Sequence, residues 1–427
     1  MRWVVVGAGT AGCVVATRLC ERQHEVTVVE QGPDLTERTT PDAIASIDYV
    51  DALANGARIG SVRARRTAGA GLIAYPVGCG IGGSDAVNGL VLDRGRKEDY
   101  RAWGWIDADE AIERVRIRGE EVNDQLLGVV DRALLAAAPA ARRARLSIVA
   151  GRRATTAGAY LGPLRDRGLL EVVTGRRVDR VRLSNRTAVG VALDDGDVIA
   201  ADAVALCAGA LSTPALLLRS GIEDLPVGVG LQDHPSVSIA LRLRDPAARA
   251  PVATGVVLTL GDVQVTTMNH TAPDATYGAV SVALLTPHSR GRVELDGDGA
   301  PVADFGQFGD GDDLHRLVAG VRAVEELLHH DAFTAIAEAC YTDDTGTPVA
   351  LSEGDDVEAW VSRGGGPWVH PSSSCPIGSV LDGDGRVLGY DALFVIDASA
   401  FPQIPAAPTA LPTMILAERL ASRLAVL

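Results

Sequence analysis

The chain opens with two apolar runs separated by a glycine turn and a helical pattern. Residues 2–6 and 25–29 are mostly hydrophobic runs of strand length, and residues 13–22 repeat apolar side chains at helical spacing. A G-x-G-x-x-G turn fills residues 7–12, and Glu30 ends the second run. Strand, glycine turn, helix, strand and acid in this order predict a bound dinucleotide.

The residues of this turn have separate predicted roles. Gly7 allows the tight turn, Gly9 lets the backbone approach a pyrophosphate, and Gly12 lets the helix pack against the strand. The helix start, with Thr10 and Ala11, offers free N–H groups to the phosphates.

Glu30 follows Gly12 by eighteen residues. At that distance a carboxylate is placed to accept both ribose hydroxyls of an adenosine. It would also repel a 2′-phosphate, which disfavours NADP. The alternative, a glycine turn in another kind of α/β unit, does not explain why all five features occur in order.

The rest of the chain predicts a second domain of a different kind. Apolar and polar residues alternate over 236–302, which is typical of antiparallel strands with one buried face. Helical patterns cover 126–141 and 314–329, and residues 168–202 give three further strands. A buried strand, glycine turn and helix occupy residues 203–222. We therefore expect a mixed α/β (α+β) protein with a Rossmann-like domain and a second domain built on an antiparallel sheet.

Composition narrows the functional classes. The 427 residues carry a net charge of −15, which argues against nucleic-acid binding, and 47% of them are hydrophobic, as in an ordinary globular protein. Six scattered cysteines without C-x-x-C spacing indicate reduced thiols, with no disulfide frame and no metal site. His270, His329 and His330 also lack ligand-like spacing, so we expect them on the surface.

No apolar run reaches the ~18–20 residues that span a bilayer, and no signal peptide precedes the first strand. We expect a cytoplasmic protein, with peripheral membrane contact left open.

A second glycine-rich segment covers residues 75–95. Four glycines within six residues, including Gly82 and Gly83, indicate a backbone that lies against a flat or anionic group. Ser84 is predicted to cap a following helix, and Asn88 lies four residues later on the same helical face.

Residues 75–105 resemble the second signature of the glucose–methanol–choline (GMC) flavin oxidoreductases, G-x-x-x-G-G-S-S-x-x-N-G-x-V-x-x-R-G followed by W-G. The resemblance implies FAD rather than NAD, with this segment along the cofactor and Asn88 near the flavin. In some members a histidine just before that asparagine carries a covalent flavin link. Val87 stands there, which implies FAD held without a covalent bond.

Further segments resemble the same family in family order. They are A-G-A-x-x-T-P at 208–214, L-Q-D-H at 231–234, P-x-S-R-G-x-V at 287–293, H-P-x-x-x-C at 370–375 and D-A-S at 397–399. The resemblance implies that Asp397 and Ala398 return the chain to the FAD. It also implies that the backbone of Val178 contacts the adenine, although a simple strand residue explains Val178 nearly as well.

The resemblance also implies a division of the chain. Residues 1–235 would form the first part of the FAD-binding domain, 236–370 the substrate-binding domain, and 371–427 the C-terminal return to the FAD-binding domain.

His370 falls on the position of the family's catalytic histidine. Hydride leaves an alcohol carbon only as the hydroxyl proton is removed, and an imidazole close to the flavin suits that step. The motif departs from the family at Ser373, where glycine is usual. Asp233 and His234 suggest a second catalytic pair, but a structural turn leading into the second domain is the preferred interpretation.

The largest departure lies near the C-terminal helix. Many members read N-x-N-x-P-T there, and the first asparagine, sometimes a histidine, is the second catalytic residue. Alignment on Pro412 puts Pro408 at that position, where no side chain can hydrogen-bond the substrate oxygen. Thr409, Ser373, Ser374 or a water could replace it.

We therefore expect a GMC-type FAD-dependent dehydrogenase or oxidase of a small-molecule alcohol. The acceptor is open between oxygen, a quinone and a protein. The short chain resembles the branch associated with the redox peptide mycofactocin, so the donor could be that reduced peptide cofactor. Two alternatives are a flavin-containing hydroxynitrile lyase and a non-catalytic flavin-binding protein.

Overall fold

The computed structural model describes residues 1–34, 41–165, 170–245, 249–273, 275–342, 348–350 and 357–424. Up to residue 165, strands alternate with short helices. The strands are β1 (Arg2–Val6), β2 (Glu25–Glu30), β3 (Ile59–Arg65), β4 (Ile73–Gly78), β5 (Glu120–Glu121), β6 (Arg142–Arg143), β7 (Arg145–Leu146), β8 (Ile148–Val149) and β9 (Arg152–Arg153). The helices are α1 (Thr10–Glu21), α2 (Asp42–Ala45), α3 (Tyr49–Asn55), α4 (Lys97–Ala102), α5 (Ala108–Arg114) and α6 (Val129–Ala137).

Strands dominate the chain after residue 169. They are β10 (Leu170–Thr174), β11 (Val178–Ser184), β12 (Thr187–Leu193), β13 (Val198–Ala200), β14 (Ala203–Leu206), β15 (Val229–Leu231), β16 (Pro235–Leu243), β17 (Val256–Leu260), β18 (Val263–Met268), β19 (Tyr277–Leu284), β20 (Gly291–Leu295), β21 (Pro301–Asp304), β22 (Ala337–Thr342), β23 (Pro348–Ala350), β24 (Gly366–Pro367) and β25 (Leu393–Val395). The helices are α7 (Ser212–Arg219), α8 (Gly311–Leu328), α9 (Asp331–Thr334), α10 (Val357–Gly364) and α11 (Ala410–Arg423).

A five-stranded parallel sheet forms the nucleotide-binding half, in the order β10-β2-β1-β14-β25. Strand β14 is apolar throughout and β1 is apolar after Arg2, because both faces of the sheet are covered. Helices α1 and α11 pack against each other beside it. This confirms the predicted Rossmann-like domain. Residues 170–174, within the segment predicted to give three further strands, form β10, which pairs with β2 of this sheet. The other strands of that segment belong to a small separate sheet. That small sheet consists of β11, β12 and β13.

An eight-stranded sheet forms the second half. Its order is β23-β22-β16-β19-β18-β17-β6, with β24 paired to β16, and the pairs that link its long strands are antiparallel, as predicted. Strands β18 and β19 are almost entirely buried rather than half-buried, since α6 and α8 pack against this sheet.

A third sheet joins the two halves in the order β15-β20-β21-β3-β4. The P-x-S-R-G-x-V segment falls within the predicted substrate-binding domain, but its strand β20 lies in this third sheet. There β20 pairs with β15 and β21, and β21 pairs with β3. The domain boundaries given above stay a prediction.

The helix predicted over 126–141 is shorter than its pattern. It ends at Ala137 because Ala138 precedes Pro139, whose ring disfavours helical backbone in the residue before it. His270 was predicted on the surface and is fully buried, where its Nε2 lies 2.6 Å from Asp48 Oδ2. None of the helices in the described ranges has both the length and the hydropathy to cross a membrane.

Glu418 ties the first and last helices together, and its removal tests how much the C-terminal return contributes. Its buried carboxylate accepts two hydrogen bonds of 2.8 Å from Arg18 and one of 2.7 Å from Tyr160 Oη. We expect Glu418→Gln to lower the free energy of unfolding by about 3 kcal/mol, because it breaks a buried ion pair on one side. The control is Glu110→Gln, whose carboxylate is largely exposed, with an expected change within about 0.5 kcal/mol. Equal urea midpoints for the two variants would contradict this prediction.

Candidate cofactor site and active site

Packing inside the protein requires two glycines of the first turn. Gly7 has φ +96°, and a Cβ there would lie 2.6 Å from the carbonyl oxygen of Cys207. A Cβ on Gly12 would lie 1.9 Å from the carbonyl oxygen of Gly7. Strand β1, helix α1 and the end of β14 therefore meet at backbone distance, as the sequence predicts for Gly12.

The second glycine loop lies directly against the first. The N–H of Gly82 donates to the carbonyl of Ala8 at 2.7 Å, and a Cβ on Gly83 would come within 2.8 Å of Gly9 Cα. Gly82 and Gly83 also have positive φ. These glycines were predicted to lie beside a flat or anionic group. The structure shows that their immediate neighbour is the first glycine turn.

Glu30 closes the junction of these loops. Its Oε2 accepts the N–H of Ala8 at 2.9 Å, and its Oε1 accepts those of Gly32 and Gly80 at 2.9 and 3.0 Å. A carboxylate has about four acceptor positions, so Oε2 still has capacity for a ribose hydroxyl. The predicted role of Glu30 stays a prediction, and the structure adds that it holds three backbone segments.

The start of α1 fits a pyrophosphate. Gly9 is the N-cap, no side chain caps the helix, and its first turn contains no acidic residue. The N–H groups from Thr10, Ala11 and Gly12 are thus left without a side-chain acceptor. A Cβ on Gly9 would meet protein only at 3.9 Å, at Gly83 Cα. The space beside Gly9 is therefore open to a ligand, whereas the spaces beside Gly7 and Gly12 are filled by protein.

The predicted helix after Ser84 is absent: residues 83–86 form a single 3-10 turn, preceded by two glycines with positive φ. Ser84 does not cap it but accepts the N–H of Gly78 at 3.0 Å. Asn88 Oδ1 instead accepts from the N–H of Leu90 and from Arg153 Nη1, at 3.1 and 3.0 Å.

Arg153 was missed by the sequence analysis. Its guanidinium is buried, with Nη1 bonded to residues of this loop, while Nε and Nη2 have no partner within the described residues. A buried cation with spare donors beside the glycine loops fits a bound group that accepts hydrogen bonds.

The remaining predicted cofactor residues lie on two other segments. Val178 begins β11, two residues after Arg176, whose N–H donates to the carbonyl of Glu30 at 3.3 Å. Asp397 Oδ2 accepts the N–H of Gly209 at 2.9 Å and the Thr213 hydroxyl at 2.6 Å, which joins the A-G-A and D-A-S segments.

Ala398 connects this region to the predicted base. Its carbonyl accepts the N–H of Ser373 at 3.0 Å, three residues after His370. Ser373 has φ +63°, which explains why glycine is usual there. The substitution therefore keeps the backbone conformation, at a cost of about 1 kcal/mol. The Ser374 hydroxyl donates to the carbonyl of Ala210 at 2.6 Å. Ser374 was one of the groups suggested to replace the missing asparagine, and its hydroxyl hydrogen is therefore already used in a hydrogen bond.

His370 lies at a strained turn and contacts two rings. Val369, a β-branched residue, has φ +64°, which is unusual and is sustained only by surrounding contacts. The Trp368 ring centroid lies 4.9 Å from that of His370, and the His234 centroid lies at 5.2 Å with the rings nearly perpendicular.

His234 is fully buried, and His370 is half-buried. Their Nδ1 atoms are 3.0 Å apart, and His234 Nε2 lies 3.1 Å from the carbonyl oxygen of Pro405. Burial lowers the pKa of His234 to about 4. Burial, together with the neighbouring His234, holds the pKa of His370 well below its ordinary value. Both rings are thus neutral at neutral pH.

Asp233 holds the two histidines in place. Its Oδ1 accepts the backbone N–H of His234 at 2.7 Å and of His370 at 2.9 Å, and its Oδ2 accepts the Tyr75 hydroxyl at 2.6 Å. Burial raises the pKa of this carboxyl to about 7, against the lowering effect of these donors. These contacts support the predicted structural role for Asp233, the first residue of the Asp233–His234 pair. The His234 contact with His370 was missed, since it joins residues 136 positions apart.

Profiles of known families match much of the chain. Two profiles described as GMC oxidoreductase match residues 143–236 and 287–417, and one described as an NAD(P)-binding Rossmann-like domain matches residues 5–54. An uncharacterized GMC-type oxidoreductase of Rhodococcus erythropolis is 29% identical and covers 98% of this chain and 97% of its own. An oxygen-dependent choline dehydrogenase of Paraburkholderia phymatum is 26% identical, over 99% and 92%.

Solved structures share the fold. Pyridoxine 4-oxidase from Mesorbium loti superposes with a TM-score of 0.88 at 22% identity, covering 100% of this chain and 99% of its own. A formate oxidase superposes with a TM-score of 0.84 at 18% identity, covering 99% and 98%.

Two alanine substitutions in one turn separate packing from cofactor binding. We expect Gly12→Ala to destabilise the apoprotein by about 3 kcal/mol, because its Cβ overlaps a backbone oxygen. Gly9→Ala should leave apoprotein stability within about 0.5 kcal/mol, since its Cβ meets no close protein atom. It should nevertheless weaken FAD binding by about tenfold or more. Urea unfolding and FAD fluorescence titration measure the two effects, and wild-type FAD affinity in Gly9→Ala would contradict the pyrophosphate assignment.

Proposed function

Since the chain belongs to the GMC oxidoreductase family, we propose that it is an FAD-dependent oxidoreductase of CH–OH groups with His370 as the general base. The observation that carries the proposal is the neutral, oriented imidazole of His370. It is held by Asp233 and His234 and connected through Ser373 to the predicted FAD-binding segment.

The chemistry of alcohol oxidation requires this kind of group. FAD, when bound, accepts the hydride from the carbinol carbon. The protein must take the hydroxyl proton, because a cationic protonated ketone or aldehyde would otherwise form. An imidazole with a depressed pKa is in its basic form at neutral pH and is available for that proton.

The FAD contacts that we propose are those predicted from the sequence. The start of α1 binds the pyrophosphate, Glu30 the ribose, and Val178 the adenine side. The Gly82–Ser84 loop, Asn88 and the Asp397–Ala398 segment lie along the rest of the cofactor. Val87 is buried and has no nucleophilic atom, so we propose that FAD is bound without a covalent link.

The substrate that we propose is a small-molecule alcohol. Relatives named for choline and pyridoxine, both alcohols, support this class. Trp368 supplies an aromatic wall beside His370. We include reduced mycofactocin among the proposed electron donors, as a specialised alternative to a simple alcohol. The proposed electron acceptor is oxygen, a quinone or a protein.

Removal of the His370 imidazole tests the base directly. With a panel of alcohols and reduced mycofactocin added anaerobically, we expect the wild-type flavin band to bleach. His370→Ala should slow flavin reduction by at least about 10²-fold, because the proton acceptor is lost. Stopped-flow absorbance measures this rate, and admission of air then tests oxygen as the acceptor.

The matched control is His329→Ala, which removes an exposed histidine far from the predicted cofactor loops in sequence. It should reduce its flavin at the wild-type rate. Both variants should release their FAD on heat denaturation; flavin retained in the pellet would contradict non-covalent binding. Unaffected reduction in His370→Ala would remove the base assignment, and a wild-type band that no donor bleaches would favour a flavin-containing lyase.

The depressed pKa of His370 predicts the pH dependence of flavin reduction. A base acts when deprotonated, so a lowered pKa moves the loss of activity to lower pH. We expect the rate at saturating alcohol to stay constant from pH 8 to below about pH 6.5, the ordinary value for histidine, and to fall only in more acidic buffer. Asp233, with its pKa of about 7, is the neighbouring group that could mask this. An acid limb at or above pH 6.5 that persists in Asp233→Asn would therefore contradict the prediction.

A further inference from the structure

We propose that His234 is a positioning residue that fixes the tautomer of His370, so that His370 presents an unprotonated Nε2 to the substrate. The inference deepens the proposed function and rests on it for its catalytic consequence. The hydrogen-bond arrangement itself stands on geometry alone.

A backbone carbonyl fixes the position of the hydrogen on His234. Pro405 O can only accept a hydrogen bond, and it lies 3.1 Å from His234 Nε2. The hydrogen of His234 must therefore be on Nε2. Loops 231–234 and 404–405 are fixed to each other, since Gln232 Oε1 accepts the N–H of Ile404 at 3.0 Å.

A neutral imidazole carries one N–H, so the Nδ1 of His234 is a bare acceptor. Neutrality follows from its complete burial and from the absence of a carboxylate among its ring contacts in the described residues. The ionisable groups nearest to it are His370, against the ring, and Asp233, which binds its backbone. The carbonyl of Leu285 also faces the ring.

His370 must then donate from Nδ1, because the two Nδ1 atoms are 3.0 Å apart. The opposite arrangement would place two lone pairs between His234 and Pro405. With its hydrogen on Nδ1, the remaining nitrogen of His370 is Nε2, which carries a lone pair. His234 thus orients the ring as the carboxylate does in a Ser-His-Asp triad, but without a charge.

Proton accounting is simple in this arrangement. The substrate O–H bond breaks as the Nε2–H bond of His370 forms, and the carbinol carbon becomes a carbonyl. The hydride lost from that carbon would pass to FAD when FAD is bound. His370 becomes an imidazolium, and its Nδ1–H bond to His234 strengthens as the charge develops. The proton does not pass to His234, since that ring has no further acceptor for its own Nε2 proton except a carbonyl.

The first experiment reads the tautomer in the wild-type holoenzyme. Histidine labelled with ¹⁵N in the ring gives distinct shifts for protonated and bare nitrogens, and the loss of one spin system in His370→Ala assigns that residue. We expect His370 to show a protonated Nδ1 and a bare Nε2, and His234 the reverse. A protonated Nε2 on His370 would overturn the inference, even if the enzyme proves to oxidise alcohols.

Variants then test the catalytic consequence. His234→Asn keeps an acceptor oxygen near the Nδ1 position, whereas His234→Leu keeps the volume and removes the acceptor. We expect flavin reduction to fall by at least about 10²-fold in His234→Leu and by less than about tenfold in His234→Asn. The His370 shifts should average towards a tautomer mixture in the leucine variant only. The control His329→Leu should match wild type in both measurements.

The outcomes separate the two proposals. Wild-type rates and wild-type His370 shifts in His234→Leu would overturn the inference while leaving His370 as the base. The expected tautomer in a wild-type protein whose flavin no alcohol reduces would keep the inference and remove the proposed function. If His234→Leu does not fold, the tautomer in wild type and the rate in His234→Asn still decide.

Discussion

The contact between two glycine loops is the constraint on which the nucleotide-binding half depends. The turn after β1 and the loop after β4 meet backbone to backbone, at a distance that a single Cβ on Gly83 would prevent. Glu30 makes this arrangement possible because its one carboxylate binds N–H groups from both loops. Without that acceptor, three buried N–H groups would lose their partner, at about 1–3 kcal/mol each.

Buried carboxylates also join separate chain segments at the other end of the site. Asp233 accepts two backbone N–H groups and one hydroxyl, and through them it holds a turn that contains a strained valine. Asp397 binds Gly209, Thr213 and Ser399 in a similar way. Each buried carboxylate thus joins chain segments that are far apart in sequence. The proposed catalytic histidine and the proposed cofactor loops are held in place by such junctions.

Local patterns and motifs predicted much of this arrangement. Continuous apolar strands, the glycine turn and the alternating strands of residues 236–302 each have a local cause, so the Rossmann-like half and the antiparallel sheet could be predicted. The resemblance at residues 370–375 located His370. The family profiles and the shared fold support the flavin enzyme class, while the individual site roles stay proposals.

The features that were predicted wrongly or not at all also have physical causes. The placement of β20 and β21 in one sheet with β3 depends on long-range contacts that alternation does not encode. A serine after two glycines resembles a helix cap, but positive φ at those glycines leaves only a single turn. His270 was judged by its spacing from other ligands, and His234 by the motif around it. Their partners, Asp48 and His370, are brought close only by folding.

The carbonyl of Pro405 has a consequence for how the enzyme completes a turnover. A chain of hydrogen bonds that ends on a carbonyl cannot conduct a proton further, because an amide oxygen does not take up and pass on a proton at neutral pH. If His370 is the base, as proposed, a proton taken up there has no route inward through the buried imidazole of His234. The proton would then leave from the partly exposed side of the His370 ring. In that case deprotonation of His370 would be coupled to departure of the product, or to an acceptor such as oxygen that takes up protons as well as electrons.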